Sequence, residues 1–271
     1  MSDAALLQNL RQIAAQAAEI ILRVYESPFE VEYKKPRDPV TLADKLANAH
    51  ICAQLAALYP GVPVVAEESD PESFAGYRAS ERVFFVDPLD GTREFVKRNG
   101  EFVVMIGLLV GERPHAGVLH APVTGEIWAG VVGQGAVRAQ RDGTEIALSV
   151  AGAETLEQAR VLSTRSHRSE ALENALAALG AAHIDALGSA GLKCAAVADA
   201  QADAYVAPGR AGCRWDLCAG EAIIHAAGGR VTDARGQLLD YRADSLVNDS
   251  GIVASNGKVH DAILERWRAL S

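Results

Sequence analysis

The chain has 271 residues, 49% of them hydrophobic and 6% aromatic, enough to bury a full core in one large domain or two tightly joined halves. A formal net charge of −9 argues against nonspecific binding to nucleic acid or to an anionic membrane surface, so an anionic ligand would need metal ions or local basic side chains. Cys52, Cys194, Cys213 and Cys218 show neither a C-x-x-C pair nor zinc spacing with histidine, and read as free thiols of a reducing cytosol. With no basic stretch ahead of an apolar one at the start and no run of about 18 apolar residues, the chain reads as soluble, untargeted and cytoplasmic.

From Asp3 to Tyr25, apolar residues recur at Leu6, Leu10, Ile13, Ala14, Ala17, Ile20, Ile21 and Val24, the spacing of one helical face, and Ser27-Pro28 ends the run. Thr41-Leu42-Ala43-Asp44 reads as a capping-box variant opening a second helix to about Leu58, which Pro60-Gly61 stops. Strands are expected at about 62–66, 82–86, 102–110, 116–121, 126–132 and 136–139, a meander of mostly antiparallel pairs. From about 158 the pattern alternates: strand 160–163, helix 168–179, strand 183–187, helix 189–200, strand 203–206, helix 215–227, strands 230–232 and 251–254, and helix 257–269. This divides the chain into residues 1–150, two helices on a sheet, and 151–271, an α/β half, with the joint between Thr144 and Gln158.

The most informative segment is Val86-Asp87-Pro88-Leu89-Asp90-Gly91-Thr92, which sets two carboxylates three residues apart before a glycine and a hydroxyl. Alone, such a string is usually only a turn. Glu67 and Glu68 follow the strand Val62 to Ala66, alternation letting only one of them face a common site, and Asp216 opens a helical run. If these acids converge, each pair about 4 Å apart repels by roughly 4 kcal/mol at an effective dielectric near 20, and only a cation would hold them. A cluster of carboxylates with a backbone carbonyl, such as that of Leu89, selects hard ions, Mg²⁺ above all where phosphate completes the shell. Gly91 permits close backbone approach, and the N–H groups of a short helix from Thr92 to Arg98 suit a phosphate. Against these stand plain alternatives: Asp44 and Asp216 as helix caps, Lys193 as a surface lysine rather than a charge at a phosphate-friendly Gly188-Ser189 helix start.

Asp38-Pro-Val-Thr41-Leu-Ala-Asp44, Ala66-Glu67-Glu68-Ser69, Asp87-Pro-Leu-Asp90-Gly-Thr92 and Trp215-Asp216-x-x-Ala219-Gly220, in this order, resemble the lithium-sensitive, magnesium-dependent inositol monophosphatase superfamily. Within it, Thr92-Arg-Glu-Phe-Val-Lys-Arg-Asn-Gly-Glu-Phe102 is similar to the CysQ-type 3'(2'),5'-bisphosphate nucleotidases, as are Gly188-Ser189 with Leu192-Lys193 and Ala202-Asp203-Ala204-Tyr205. One departure is the spacing of Gly-Ser-Ala-Gly-Leu-Lys193, longer by a residue than in some close relatives. The resemblance implies a layered αβαβα sandwich, of α+β or α/β class, and two or three Mg²⁺ per site. Glu67, Asp87 and the Leu89 carbonyl would hold one ion, and Asp87, Asp90 and Asp216 a second. Thr92 and Asp44 resemble the pair that polarises the attacking water, with Glu67 beside them, and Gly91, Thr92, Ser189, Lys193 and Asp216 the groups that meet substrate. The expected reaction is hydrolysis of adenosine 3',5'-bisphosphate to AMP and phosphate, a recycling step of sulfur assimilation, with the 3'-phosphorylated sulfate donor as a second substrate. The rivals are an inositol or other sugar phosphatase with the same centre and a noncatalytic phosphonucleotide-binding protein. The expected partner is a small nucleotide, with a homodimer compatible and peripheral membrane association left open. Arg210 and Arg214 join Lys193 as candidates for the second phosphate.

Overall fold

The computed structural model describes residues 2–35, 38–166 and 168–269. Helix α1 (Asp3–Tyr25) buries Leu6, Leu10, Ile13, Ala14, Ala17, Ile21 and Val24 along one face, as its periodicity requires, and is capped by Ser2. Strands β1 (Val31–Lys35) and β2 (Asp38–Thr41) form an antiparallel hairpin absent from the sequence expectation, being short and without apolar alternation. Helix α2 (Leu42–Leu58) starts at a complete capping box between Thr41 and Asp44.

Then come β3 (Val64–Ala66), β4 (Arg82–Asp90), the single-turn α3 (Thr92–Val96), β5 (Val103–Val110), β6 (Arg113–Ala121), β7 (Glu126–Val131), β8 (Gly135–Ala139) and β9 (Glu145–Ala147). These strands make one seven-stranded sheet in chain order, parallel between β3 and β4 and antiparallel elsewhere. The strand β9 lies inside the stretch expected to be a joint.

The remaining elements are β10 (Arg160–Thr164), α4 (Glu170–Leu179), β11 (His183–Leu187), α5 (Ala190–Ala198), β12 (Ala204–Ala207), α6 (Cys218–Ala226), β13 (Arg230–Thr232), β14 (Ile252–Ser255) and α7 (His260–Arg268). Their sheet runs β11-β10-β12-β14-β13, parallel among the first three and antiparallel at β14. One run of helix expected over 215–227 is a 3₁₀ turn at Arg214–Asp216 followed by α6.

Three apolar clusters set the layers. One joins α1 and α2 to the seven-stranded sheet through Leu10, Ile51, Phe84 and Val104. A second joins the opposite face of that sheet, at Met105 and Leu119, to Val197 of α5, Ile223 of α6 and Tyr205 of the second sheet. The third places α4 and α7 outside the second sheet, around Leu176, Val253 and Ile263. The result is the expected αβαβα sandwich. Helix α6 lies directly on β5 and β6: a Cβ at Gly107 would sit 2.6 Å from Ala219 N, and one at Gly117 2.2 Å from Ala219 O. That approach carries Asp216, just before α6, to the end of β4. Among the described residues no helix is long and apolar enough to cross a membrane.

Candidate metal centre and catalytic pair

The Asp87-to-Asp90 segment is not a free turn. Strand β4 continues through it, and the three-residue step from Asp87 to Asp90 faces the two-residue step from Met105 to Val103, a bulge with one extra residue. Asp87 accepts the Leu89 N–H at 2.9 Å, so the bulge holds its own shape. Glu67 leaves the end of β3, parallel to β4, and Asp216 arrives from the turn before α6. Oxygen atoms of Glu67, Asp87 and Asp216 lie within 4.8 Å of one another.

Asp216 also accepts the Cys213 N–H at 2.8 Å, so it caps its turn and faces the cluster at once. A Cβ at Gly212, where φ is +67°, would lie 2.0 Å from Asp216 Oδ2; only glycine fits. Asp90 stands beside the trio, its Oδ2 accepting Ser189 Oγ–H at 2.5 Å and Gly191 N–H at 2.7 Å. Glu68 is turned toward Lys34 rather than into the cluster: Lys34 Nζ bridges Glu67 at 2.7 Å and Glu68 at 2.6 Å.

Electrostatics show what this arrangement requires. Burial raises Asp87 well above the usual carboxylate range, and the charges of Glu67, Asp216 and Asp90 raise it further. Asp216 is raised by burial and then by Glu67 and Asp90. Glu67 is pushed up to about 7 by burial, against the pull of Lys34. Without a cation these acids resist shared ionisation. An all-oxygen set at this spacing, with Asp87 buried and Glu67 and Asp216 half-buried, fits a hard divalent ion.

Thr92 Oγ1 donates to Asp44 Oδ1 at 2.9 Å. The other oxygen of Asp44 takes the Thr41 N–H at 2.8 Å and the Thr41 hydroxyl at 2.6 Å. Asp44 thus caps its helix with one oxygen and takes the Thr92 hydroxyl on the other. The Leu89 carbonyl faces the same hydroxyl, 3.3 Å from Thr92 Oγ1. At Gly91 φ is +107° and a Cβ would lie 2.7 Å from the Glu101 carbonyl, so the β4 end can close onto Glu101 only without a side chain.

Two expected substrate contacts are placed elsewhere. Lys193 is 3% exposed and its ammonium is turned onto the carbonyls of 187–189, because a side chain one turn into a helix points back toward its N-terminus. Arg214 is 7% exposed, with Nε and Nη1 buried and without hydrogen-bond partners among the described residues. The Ser189 hydroxyl is spent on Asp90 and on the Leu192 N–H, and the Gly191 N–H on Asp90, so this helix start serves a protein carboxylate. Lys34 and Gly212 went unrecognised in the sequence; neither carries a local signal, since each matters only through a distant acid.

The family profile described as the inositol monophosphatase family matches residues 3–270. The chain is 37% identical over 238 residues to the 3'(2'),5'-bisphosphate nucleotidase CysQ of Salmonella typhimurium, covering 87% of this chain and 94% of that one. It is 31% identical over 249 residues to the protein of the same name from Aggregatibacter actinomycetemcomitans, covering 92% of each. Among solved structures, CysQ from Bacteroides thetaiotaomicron superposes with a TM-score of 0.79 at 31% identity, over 93% of this chain and 97% of that one. The extragenic suppressor protein suhB from Bartonella henselae does so with a TM-score of 0.83 at 26% identity, over 97% and 98%. With carboxylates gathered for a hard cation and relatives matched over most of their length, the chain belongs to the metal-dependent inositol monophosphatase family, on its CysQ-type nucleotidase branch.

Proposed function

We infer that this chain hydrolyses the 3'-phosphate of adenosine 3',5'-bisphosphate, giving AMP and phosphate, with Mg²⁺ at the carboxylate centre. The observation that carries it is the Thr92–Asp44 hydrogen bond beside the Glu67, Asp87 and Asp216 cluster. A protein that only bound phosphonucleotides would have no use for a hydroxyl backed by a buried acceptor there. Glu67, Asp87, Asp216 and the Leu89 carbonyl, with Asp90 alongside, are the groups to hold the ions. Bound Mg²⁺ would lower the pKa of water and neutralise phosphoryl oxygens.

The chain's own contribution starts at Asp44. Burial raises its carboxyl above the ordinary value, making it a better proton acceptor, while Thr41 and Thr92 hold it in one orientation. With its hydrogen given to Asp44 Oδ1, Thr92 Oγ1 keeps a lone pair for the attacking water. A proton leaving that water passes to Thr92 Oγ1 as the Thr92 proton moves to Asp44 Oδ1. No covalent phosphoenzyme is required.

Of the three basic candidates for the second phosphate, Lys193 and Arg214 are buried and Arg210 is exposed in the loop leading to Asp216. Arg210 is therefore the residue we assign to that charge. The free cysteines accord with a reducing cytosol, and a role in sulfur assimilation follows from the substrate.

Phosphate release measured side by side from adenosine 3',5'-bisphosphate and inositol 1-phosphate tests the assignment. The expected result is preference for the bisphosphate, and a loss in Arg210→Ala confined to it. Preference for inositol 1-phosphate would establish the sugar-phosphatase reading instead.

A further inference from the structure

Lys193 presents a cation where a helix least favours one. It lies in the first turn of α5, and its side chain runs back to the N-terminus, the positive end of the helix dipole. Its ammonium is 2.5 Å from the Ser189 carbonyl, 3.3 Å from that of Leu187 and 3.4 Å from that of Gly188, and lies 4.9 Å from the centre of the Tyr205 ring. Nothing exposed is left to greet a substrate.

The turn it gathers is unusual. Ser189 has φ +54°, a left-handed backbone that non-glycine residues adopt at a cost and keep only when their surroundings enforce it. Glu101 holds the other side, accepting the Gly188 N–H at 2.8 Å and pairing with Arg165, and a Cβ at Gly188 would meet Glu94 at 2.5 Å. From this turn, the Ser189 hydroxyl and Gly191 N–H both reach Asp90 Oδ2.

We propose that Lys193 is a positioning residue for the metal centre: by holding the carbonyls of residues 187–189 it fixes the Ser189 turn, and through it the orientation of Asp90. This rests on Asp90 binding metal as read above.

The test is direct Mn²⁺ binding, followed by loss of the free-ion EPR signal, in the wild type, Asp90→Asn, Lys193→Met and Ser189→Gly. Ser189→Gly removes the hydroxyl while suiting a positive φ, so it remains informative if Lys193→Met does not fold. Both Lys193→Met and Ser189→Gly should weaken Mn²⁺ binding by about tenfold to a hundredfold, the scale for groups that orient a ligand. At saturating Mg²⁺ the KM for the bisphosphate should stay within about twofold. Unchanged Mn²⁺ binding with a raised substrate KM would make Lys193 a substrate contact and overturn the proposal. Unchanged binding with only a lowered Tm would reduce it to a fold-stabilising group, again overturning it. If Asp90→Asn binds Mn²⁺ like the wild type, the metal reading of Asp90 itself fails, and the proposal with it.

Discussion

Thr92 Oγ1 lies 2.9 Å from Asp44 Oδ1, although 48 positions separate the residues and a helix cap already occupies the other oxygen of Asp44. If this pair handles the proton of the attacking water, Thr92→Val, which keeps shape and removes the hydroxyl, should lower kcat by roughly a hundredfold or more. Thr92→Ser should retain most activity, and neither variant should move KM much. Steady-state kinetics of the two side by side decides the point, because loss in both would indicate packing rather than chemistry.

Asp87 is 3% exposed among like charges, so the site is built against the stability of the metal-free chain. Asp87→Asn keeps the acceptor for the Leu89 N–H and removes one repelling charge. Activity with Mg²⁺ should fall at least about a thousandfold. In EDTA the variant should be more stable by on the order of 2 kcal/mol, a Tm gain of roughly 4–8 °C. A metal-free variant that melts below the wild type would contradict the repulsion argument.

Lys34 bridges Glu67 and Glu68, taking the place beside Glu67 that an incoming cation would share. Lys34→Gln should therefore melt lower in EDTA and bind Mg²⁺ more tightly, by up to about tenfold or 1.4 kcal/mol. Calorimetric titration of both proteins with Mg²⁺ is the measurement, and weaker binding in the variant would show that Lys34 supports the ion instead.

His260 is fully buried between two hydroxyls, Thr232 Oγ1 at 2.9 Å and Ser255 Oγ at 2.8 Å. Thr232 donates to the Asp233 carbonyl, so it accepts from His260 Nε2–H, and Nδ1 is left to accept from Ser255. Burial lowers this imidazole to about 4 from a usual 6.5. The unfolded chain then binds a proton first as pH falls, so this group's contribution is intact above about 6.5 and is lost progressively down to about 4, on the order of 3 kcal/mol in all. Urea denaturation at several pH values should give His260→Gln a flatter acid limb than the wild type between these limits; parallel limbs would place the proton uptake elsewhere.

What the sequence settled by itself acts over a few residues. The face of α1 and the capping box of α2 were legible because periodicity and capping are properties of neighbours in the chain. The carboxylates Glu67, Asp87, Asp90 and Asp216 stood out because each sits at the end of a recognisable strand or the start of a helical run, and like charges gathered in one place require a cation. Tertiary structure decided which way the longer and more equivocal side chains point. Lys193, on sequence a phosphate contact, turns back beneath its own helix start; Arg214 is buried; and Lys34, on a hairpin with no periodic signal, reaches Glu67 across 33 positions. Only the bare backbones of Gly107 and Gly117 let α6 lie close enough to bring Asp216 to the end of β4. These are contacts between segments remote in the chain, set by packing and by where a buried charge can find partners, and no local pattern of residues encodes them.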